Sequence, residues 1–144
     1  MERTQSNQLE CCLFFTANSL ARDITRMGEE EFASIGMTPS YAFLMMLVIE
    51  SPGISQKEIS QRMNMAPSTV SRFIDALVRR GILQKEGQGR MTFIHPTDKG
   101  LQLNNNIQKV WKNLYERYSS ILGKKNGDEL TRLCLEASKK LQQE

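Results

Sequence analysis

Between Ser55 and Gly81 the sequence marks the starts and stops of two short helices with almost nothing between them, and no other stretch restricts the fold as tightly. Val70, Phe73, Ile74, Leu77 and Val78 recur at i, i+3, i+4, i+7 and i+8, which puts all five on one stripe of an α-helix. That stripe must be buried. Pro67 suits the first helical turn, where its missing N–H is no loss, and Gly81 suits a left-handed stop after Arg79-Arg80. The opposite face carries Ser68, Thr69, Ser71, Arg72, Asp75 and Arg79, with small hydroxyls near its start and a cation one turn in. Hydroxyls and guanidinium groups are what base edges in a DNA major groove accept. Taken alone, the segment equally suits an ordinary amphipathic surface helix.

The residues on either side narrow the choice. Ser55-Gln56-Lys57-Glu58 is a capping box, so a helix starts at Ser55, and Ile54, Ile59 and Met63 give it a narrow apolar side. Asn64-Met65-Ala66 is all that separates it from the helix beginning at Pro67, which is helix-turn-helix spacing. After Gly81, Ile82–Glu86 reads as a strand, Gly87-Gln88-Gly89 as a tight turn and Arg90–His95 as a return strand. A hairpin directly after the second helix is a wing.

Four runs carry a resemblance: Gly53-Ile54-Ser55-Gln56-Lys57-Glu58-Ile59, then Pro67-Ser68-Thr69-Val70-Ser71-Arg72, then Leu77-Val78-Arg79-Arg80-Gly81-Ile82-Leu83, then Thr97-Asp98-Lys99-Gly100. In this order the sequence resembles the MarR family of winged helix-turn-helix transcriptional regulators over about residues 37 to 101. The resemblance implies that Pro67 to Arg80 is the recognition helix and that Arg90 is the wing arginine that enters the minor groove. Where the family usually has an acidic residue two positions before that arginine, this chain has Gln88. The resemblance further implies a repressor, released by an aromatic or lipophilic effector held between the dimerisation helices and the winged helix. Met37, Met45, Met46, Met63 and Met65 are first of all core residues, and they could also line such an adaptable pocket.

The flanks read as long helices. Leu9, Leu13, Ala17, Leu20, Ile24 and Met27 form one seam from about Gln5 to Phe32. Ser34-Ile35-Gly36-Met37 breaks it, and Thr38-Pro39 caps and opens a helix to Ile49 that is apolar nearly all round, the central core helix. Ser51-Pro52-Gly53 ends that helix. After the wing, Thr97 caps a helix expected to reach Leu122, with Leu103, Ile107, Val110, Trp111, Leu114, Tyr118 and Ile121 as its seam. Gly123–Gly127 reads as a loop and Asp128 as the N-cap of a last helix lined by Leu130, Leu133, Cys134, Ala137 and Leu141. Long seamed helices around a compact head are what a dimerisation layer would look like. The expected fold is therefore mainly α with a small β-hairpin wing. Residues 1–36 form an N-terminal helix of the dimerisation layer, 37–100 the winged helix-turn-helix region, and 101–144 the C-terminal dimerisation helices. A two-fold homodimer would match a palindromic operator with half-sites ~34 Å apart.

Charge follows this division. The net charge is only +3, yet residues 51–100 hold eight Lys and Arg against four Asp and Glu, so the positive excess sits on the candidate DNA-binding segment. A solvated surface could show the same split. Within it, Pro67, Ser68, Thr69, Ser71 and Arg72 are expected at the major groove, Arg90 at the minor groove, and Ser55, Lys57, Arg62, Arg79 and Lys85 at phosphates.

Other chemistry has little to stand on. His95 has no acidic or cysteine neighbour at metal-ligand spacing, so no metal site and no cofactor are expected. Gly87-Gln88-Gly89 sits at a hairpin tip without a following helix and is no phosphate cradle. No acid, base or nucleophile pair suggests an enzyme. The longest apolar run, Tyr41 to Ile49, falls short of a membrane span, and Met1–Ser6 lacks the basic start and long apolar block of a signal peptide, so a cytoplasmic protein is expected. Three cysteines make no disulfide framework. Two alternatives stay open. Cys11 and Cys12 sit where organic-peroxide sensors of the same family carry a reactive cysteine, although Thr16 stands at the nearest tyrosine position and the local charge is Glu10; small residues of a helix seam account for them as well. The winged helix could also serve protein–protein contact alone. Cys134 reads as core.

Overall fold

In the computed structural model, which describes residues 8–144, the chain folds into seven α-helices and three short strands. They are α1 (Leu13–Ala33), α2 (Pro39–Glu50), β1 (Ile54–Ser55), α3 (Gln56–Met63), α4 (Pro67–Arg79), β2 (Leu83–Gln88), β3 (Met91–Pro96), α5 (Asp98–Gln102), α6 (Asn104–Leu122) and α7 (Lys124–Gln142). The mainly helical winged architecture matches the expectation. At the centre lies α2, whose Ala42, Leu44, Met45 and Val48 are fully buried, so an all-round apolar helix is satisfied from several sides. Thr38 caps it by accepting the Tyr41 N–H at 3.3 Å, with Pro39 in its first turn. Val70, Ile74 and Leu77 of α4 and Ile59 of α3 pack into the same core, with Ile94 of the wing and Ile107 of α6. Tyr41 meets Phe73 edge-on at 5.0 Å and ties α2 to α4.

The sheet order is β1-β3-β2, antiparallel throughout. The sequence reading anticipates β2 and β3 but not β1, where Ile54 pairs with Ile94 and Ser55 with Phe93. The hairpin closes differently from expectation. Gln88 pairs with Met91, so the turn is Gly89-Arg90 and not Gly87-Gln88-Gly89. Gly87 and Gly89 are both turn formers; pairing decides between them, and Gly89 takes the φ of +63° that the first position of a two-residue hairpin turn asks for. Arg90 therefore stands at the wing tip, not at the start of the return strand.

Three further expectations change. The start of the first helix expected at Gln5 lies outside the described residues. Within them, Leu9–Cys11 form a 3-10 turn and Cys12 is extended (φ −101°, ψ 120°), so α1 proper begins at Leu13. The helix expected from Thr97 to Leu122 is two segments. Gly100 presses so close to Ile82 that the chain tightens there, with the Leu103 N–H donating to the Gly100 carbonyl at 3.1 Å before α6 begins. Gly123–Gly127 is not a loop. Gly123 alone (φ +87°) makes the break and α7 starts at Lys124, because one residue suffices to redirect the chain between two packed helices. Asp128, freed from capping, instead accepts the Tyr115 hydroxyl at 2.9 Å and ties α6 to α7.

The layer around the head is α1, α6 and α7. Arg117 of α6 reaches Glu30 (2.7 Å) and Glu31 (3.4 Å) of α1. The Arg117 and Arg26 guanidinium groups hold the Glu30 carboxyl below its usual value. Much apolar surface of this layer is uncovered: Leu13 and Phe14 of α1, Ile121 of α6 and Leu133, Leu135 and Leu141 of α7 are exposed. Cys134, expected in the core, is exposed too, because α7 lies outermost and its apolar side meets little of its own chain.

Candidate nucleic-acid interface

The head is built from local signals that the tertiary contacts confirm. Ser55 caps α3 by accepting the Glu58 N–H at 3.1 Å, the forward half of the capping box. Asn64 ends α3 in the left-handed region (φ 54°), and the Ser60 hydroxyl donates to the Met65 carbonyl at 3.2 Å, fixing the turn into α4. Ala66, at the α4 N-cap, offers no side-chain cap. Pro67 follows in the first turn, and Pro67 and Ser68 stand exposed at the entrance of the helix. Gly81 (φ +76°) stops it, where the backbone enters a region an L side chain adopts only with strain.

Placed on this frame, the expected major-groove residues lie over the first two turns of α4: Pro67, Ser68 and Arg72 are exposed and Thr69 and Ser71 half-buried. Arg72 reaches back to Thr69 Oγ1 at 3.5 Å. Two open grooves flank α4. One gathers Ser55, Lys57, Gln61, Pro67, Arg90 and Thr92, bringing the wing tip to the start of α3 and of α4. The other is lined by Tyr41, Arg72, Asp75 and Arg79, between α2 and α4. The structure thus assembles Ser55, Lys57, Pro67 and Arg90 on one side and Arg72 and Arg79 on the other. Arg62 is exposed near the end of α3. Lys85 stands apart, because its ammonium is held by Asp75 at 2.6 Å.

Sequence reasoning passes over Gln61 and Thr92, which share the wing groove, and the partner role of Asp75. Their signal lies in the pairing of wing and helix, which no local pattern carries. It also passes over Arg80. The Arg80 guanidinium donates to the Gly36 carbonyl at 3.3 Å, and the Arg80 carbonyl accepts Lys99 at 3.2 Å, so the end of α4 is fastened to the α1–α2 turn and to α5.

Among the described residues, Lys57, Arg62, Arg72, Arg79 and Arg90 of the head form no ion pair, and Lys85 pairs with Asp75; in the surrounding layer Arg26, Arg117 and Arg132 are bridged to glutamates, while Arg22, Lys109, Lys124, Lys125, Lys139 and Lys140 are not. The unpaired cations of the head are thus open to an external anion.

Other candidates separate from this face. His95 Nε2 lies 3.4 Å from Glu86 Oε2 across the hairpin, and no cluster of three or more potential metal ligands forms among the described residues. Cys11 and Cys12 are exposed just before α1, not within a helix seam. Met37 and Met45 are closed into the core, with Met46, Met63 and Met65 packed against it. An open apolar groove lies elsewhere, between α6 and α7, lined by Trp111, Tyr115, Tyr118 and Thr131. No helix among the described residues is long and apolar enough to cross a membrane.

Helix-turn-helix and paired wing, packed on one core, define a winged helix-turn-helix protein. Residues 37–87, about a third of the chain, match the model of the MarR family. The HTH-type transcriptional regulator BhcR of Paracoccus denitrificans (strain Pd 1222) is 32% identical over 71 residues, 49% of this chain and 25% of that protein. The match therefore takes in about a quarter of the length of this curated relative. Among solved structures, the transcriptional repressor CouR bound to a 23-mer DNA duplex superposes with a TM-score of 0.85 at 20% identity, over 95% of this chain and 99% of that one. CouR bound to p-coumaroyl-CoA gives 0.83 at 20% identity, over 95% and 98%. At that identity the likeness establishes the fold along nearly the whole chain.

Proposed function

We propose that this protein is a sequence-specific, double-stranded-DNA-binding transcriptional regulator rather than an enzyme. It acts in the cytoplasm as a homodimer on a palindromic operator and represses until a small aromatic or lipophilic effector releases it. The observation that carries the reading is the set of unpaired cations, Lys57, Arg62, Arg72, Arg79 and Arg90, arranged around a helix whose exposed start is Pro67-Ser68. In this reading Pro67, Ser68, Thr69, Ser71 and Arg72 face the major groove and Arg90 the minor groove. Ser55, Lys57, Arg62 and Arg79 meet phosphates. The division into a DNA-binding region over 37–100 and dimerisation segments on either side follows from the same placement. The fold likeness to a DNA-bound and a ligand-bound repressor supports it, and the aromatic groove beside Trp111 has the chemistry to take an effector.

Selection from a randomised duplex pool, repeated at two salt concentrations, tests the reading. An enriched palindrome bound with steep salt dependence is expected. Arg72→Ala should cost about 1–3 kcal/mol on that site and relax the preference at one base pair. An equal loss on every sequence would make Arg72 a phosphate contact, and no enrichment by the wild-type chain would leave the winged helix to a protein partner.

A further inference from the structure

Asp75 is the only carboxylate on α4, and it stands one turn beyond Arg72 and one turn before Arg79 on the groove that both arginines line. Either arginine is within helical reach of it, since i,i+3 and i,i+4 neighbours on a helix face each other. Neither takes it. Its ion-pair partner is Lys85 of β2, at 2.6 Å, with both side chains a little under half exposed. The bridge joins the recognition helix to the first strand of the wing, and Lys85 pairs with Ile94, whose fully buried side chain anchors the hairpin to the core. An Asp left bare beside a polyanion would repel it, and a Lys left bare would bind any phosphate without regard to sequence.

We infer that Asp75 and Lys85 act together as a neutral strut that sets the wing against the recognition helix, and that Lys85 is a positioning residue for sequence reading and not a phosphate contact. The inference rests on the DNA-binding reading above. Asp75 does two things in this account: it withholds Lys85 from non-specific phosphate binding, and it holds the wing tip, with Arg90, at a fixed offset from Ser68 and Arg72. The strut occupies the one carboxylate that shares a helix and a groove with Arg72 and Arg79.

The salt dependence of binding separates a strut from a phosphate contact. Each phosphate contact contributes about 0.9 to the slope of log K against log salt on duplex DNA. Wild type, Asp75→Asn, Lys85→Met and the double variant are titrated against the selected operator and a scrambled duplex over a range of salt. A strut predicts that Asp75→Asn frees the ammonium, so its slope on scrambled DNA steepens by about 0.9 and its operator-over-scrambled ratio falls. It also predicts that the double variant returns to the wild-type slope while its ratio stays low, because the pair is gone and the wing is no longer set. If Lys85 is instead a phosphate contact, Asp75→Asn leaves the slope unchanged and the double variant loses about 0.9 relative to wild type, which overturns the inference. A double variant with both slope and ratio at the wild-type value overturns it as well. Failure of the wild-type chain to bind either duplex would remove the DNA reading itself, an outcome distinct from both. Both side chains are partly exposed and outside the core, so matching thermal unfolding curves are expected for all four proteins.

Discussion

Gly100 occupies a position where any side chain would collide with the base of the wing. A Cβ there would lie 2.2 Å from the Ile82 carbonyl oxygen and 3.1 Å from the Met45 methyl. The junction is held from both sides: the Thr97 hydroxyl donates to the Gly81 carbonyl at 2.6 Å, and the same oxygen accepts the Gly100 N–H at 3.1 Å. Because the nearest obstacle is backbone that hydrogen-bonds to Thr97, it cannot swing aside as a flexible side chain would. Gly100→Ala should therefore destabilise the fold at the upper end of the ~1–3 kcal/mol typical of overpacking, read as a lower denaturation midpoint at unchanged m-value. Single residues were legible in the sequence where their role is local. Ser55, Thr38, Thr97, Pro67 and Gly81 cap, open or stop helices by contacts within three or four residues, and each does so in the structure. Gly100, Arg80 and the Asp75–Lys85 pair were not, since each acts through a segment ten or more residues away.

Between elements, α1 and α6 are joined by ions as well as by the core residues they share with the head. Arg117 of α6 holds both Glu30 and Glu31 of α1, and the hydrogen bonds from Arg117 and then Arg26 are what lower the Glu30 carboxyl. A carboxyl lowered by folding contributes stability that is fully present above its ordinary value and is lost as the pH falls through the lowered one. Equilibrium unfolding of the wild-type chain should accordingly weaken on the acid side of the ordinary glutamate range. Arg117→Met, which removes the main cause, should flatten that limb through Glu30, and Arg132→Met should flatten it through Glu129, whose carboxyl Arg132 lowers in the same way within one helix. Denaturation midpoints at a series of pH values for the three proteins check this. Periodicity made the long helices legible, but not their breaks. Two glycines and an asparagine over 123–127 look like a loop, yet Gly123 alone turns the chain and α7 absorbs the rest. Likewise β1 is two residues long, too short to show alternation, and exists only because Ile94 and Phe93 are there to pair with it.

At the scale of the molecule, the proposed dimer would use the apolar side chains that the described residues leave exposed on the outer helices. Phe14 is 80% exposed, Leu13 72%, Ile121 71% and Leu141 65%, and they come from α1, α6 and α7, outside the helix-turn-helix and wing. A surface of that kind is expected to close against a second copy, and a two-fold pair would present two recognition helices to two half-sites. The test separates folding from assembly, because these side chains are exposed in the single chain and are not needed for its core. Phe14→Glu combined with Leu141→Glu should leave the helical content of the chain in place while sedimentation shifts it from dimer to monomer. Linking two half-site contacts raises affinity by about 10²–10⁴-fold through effective concentration alone, so the monomer should lose a factor of that order on the palindrome. On an isolated half-site it should bind as the wild type does, since Ser68, Arg72 and Arg90 are untouched. Loss on the half-site as well would mean that the outer layer shapes the reading head directly, and a dimer that persists would move the interface away from α1 and α7.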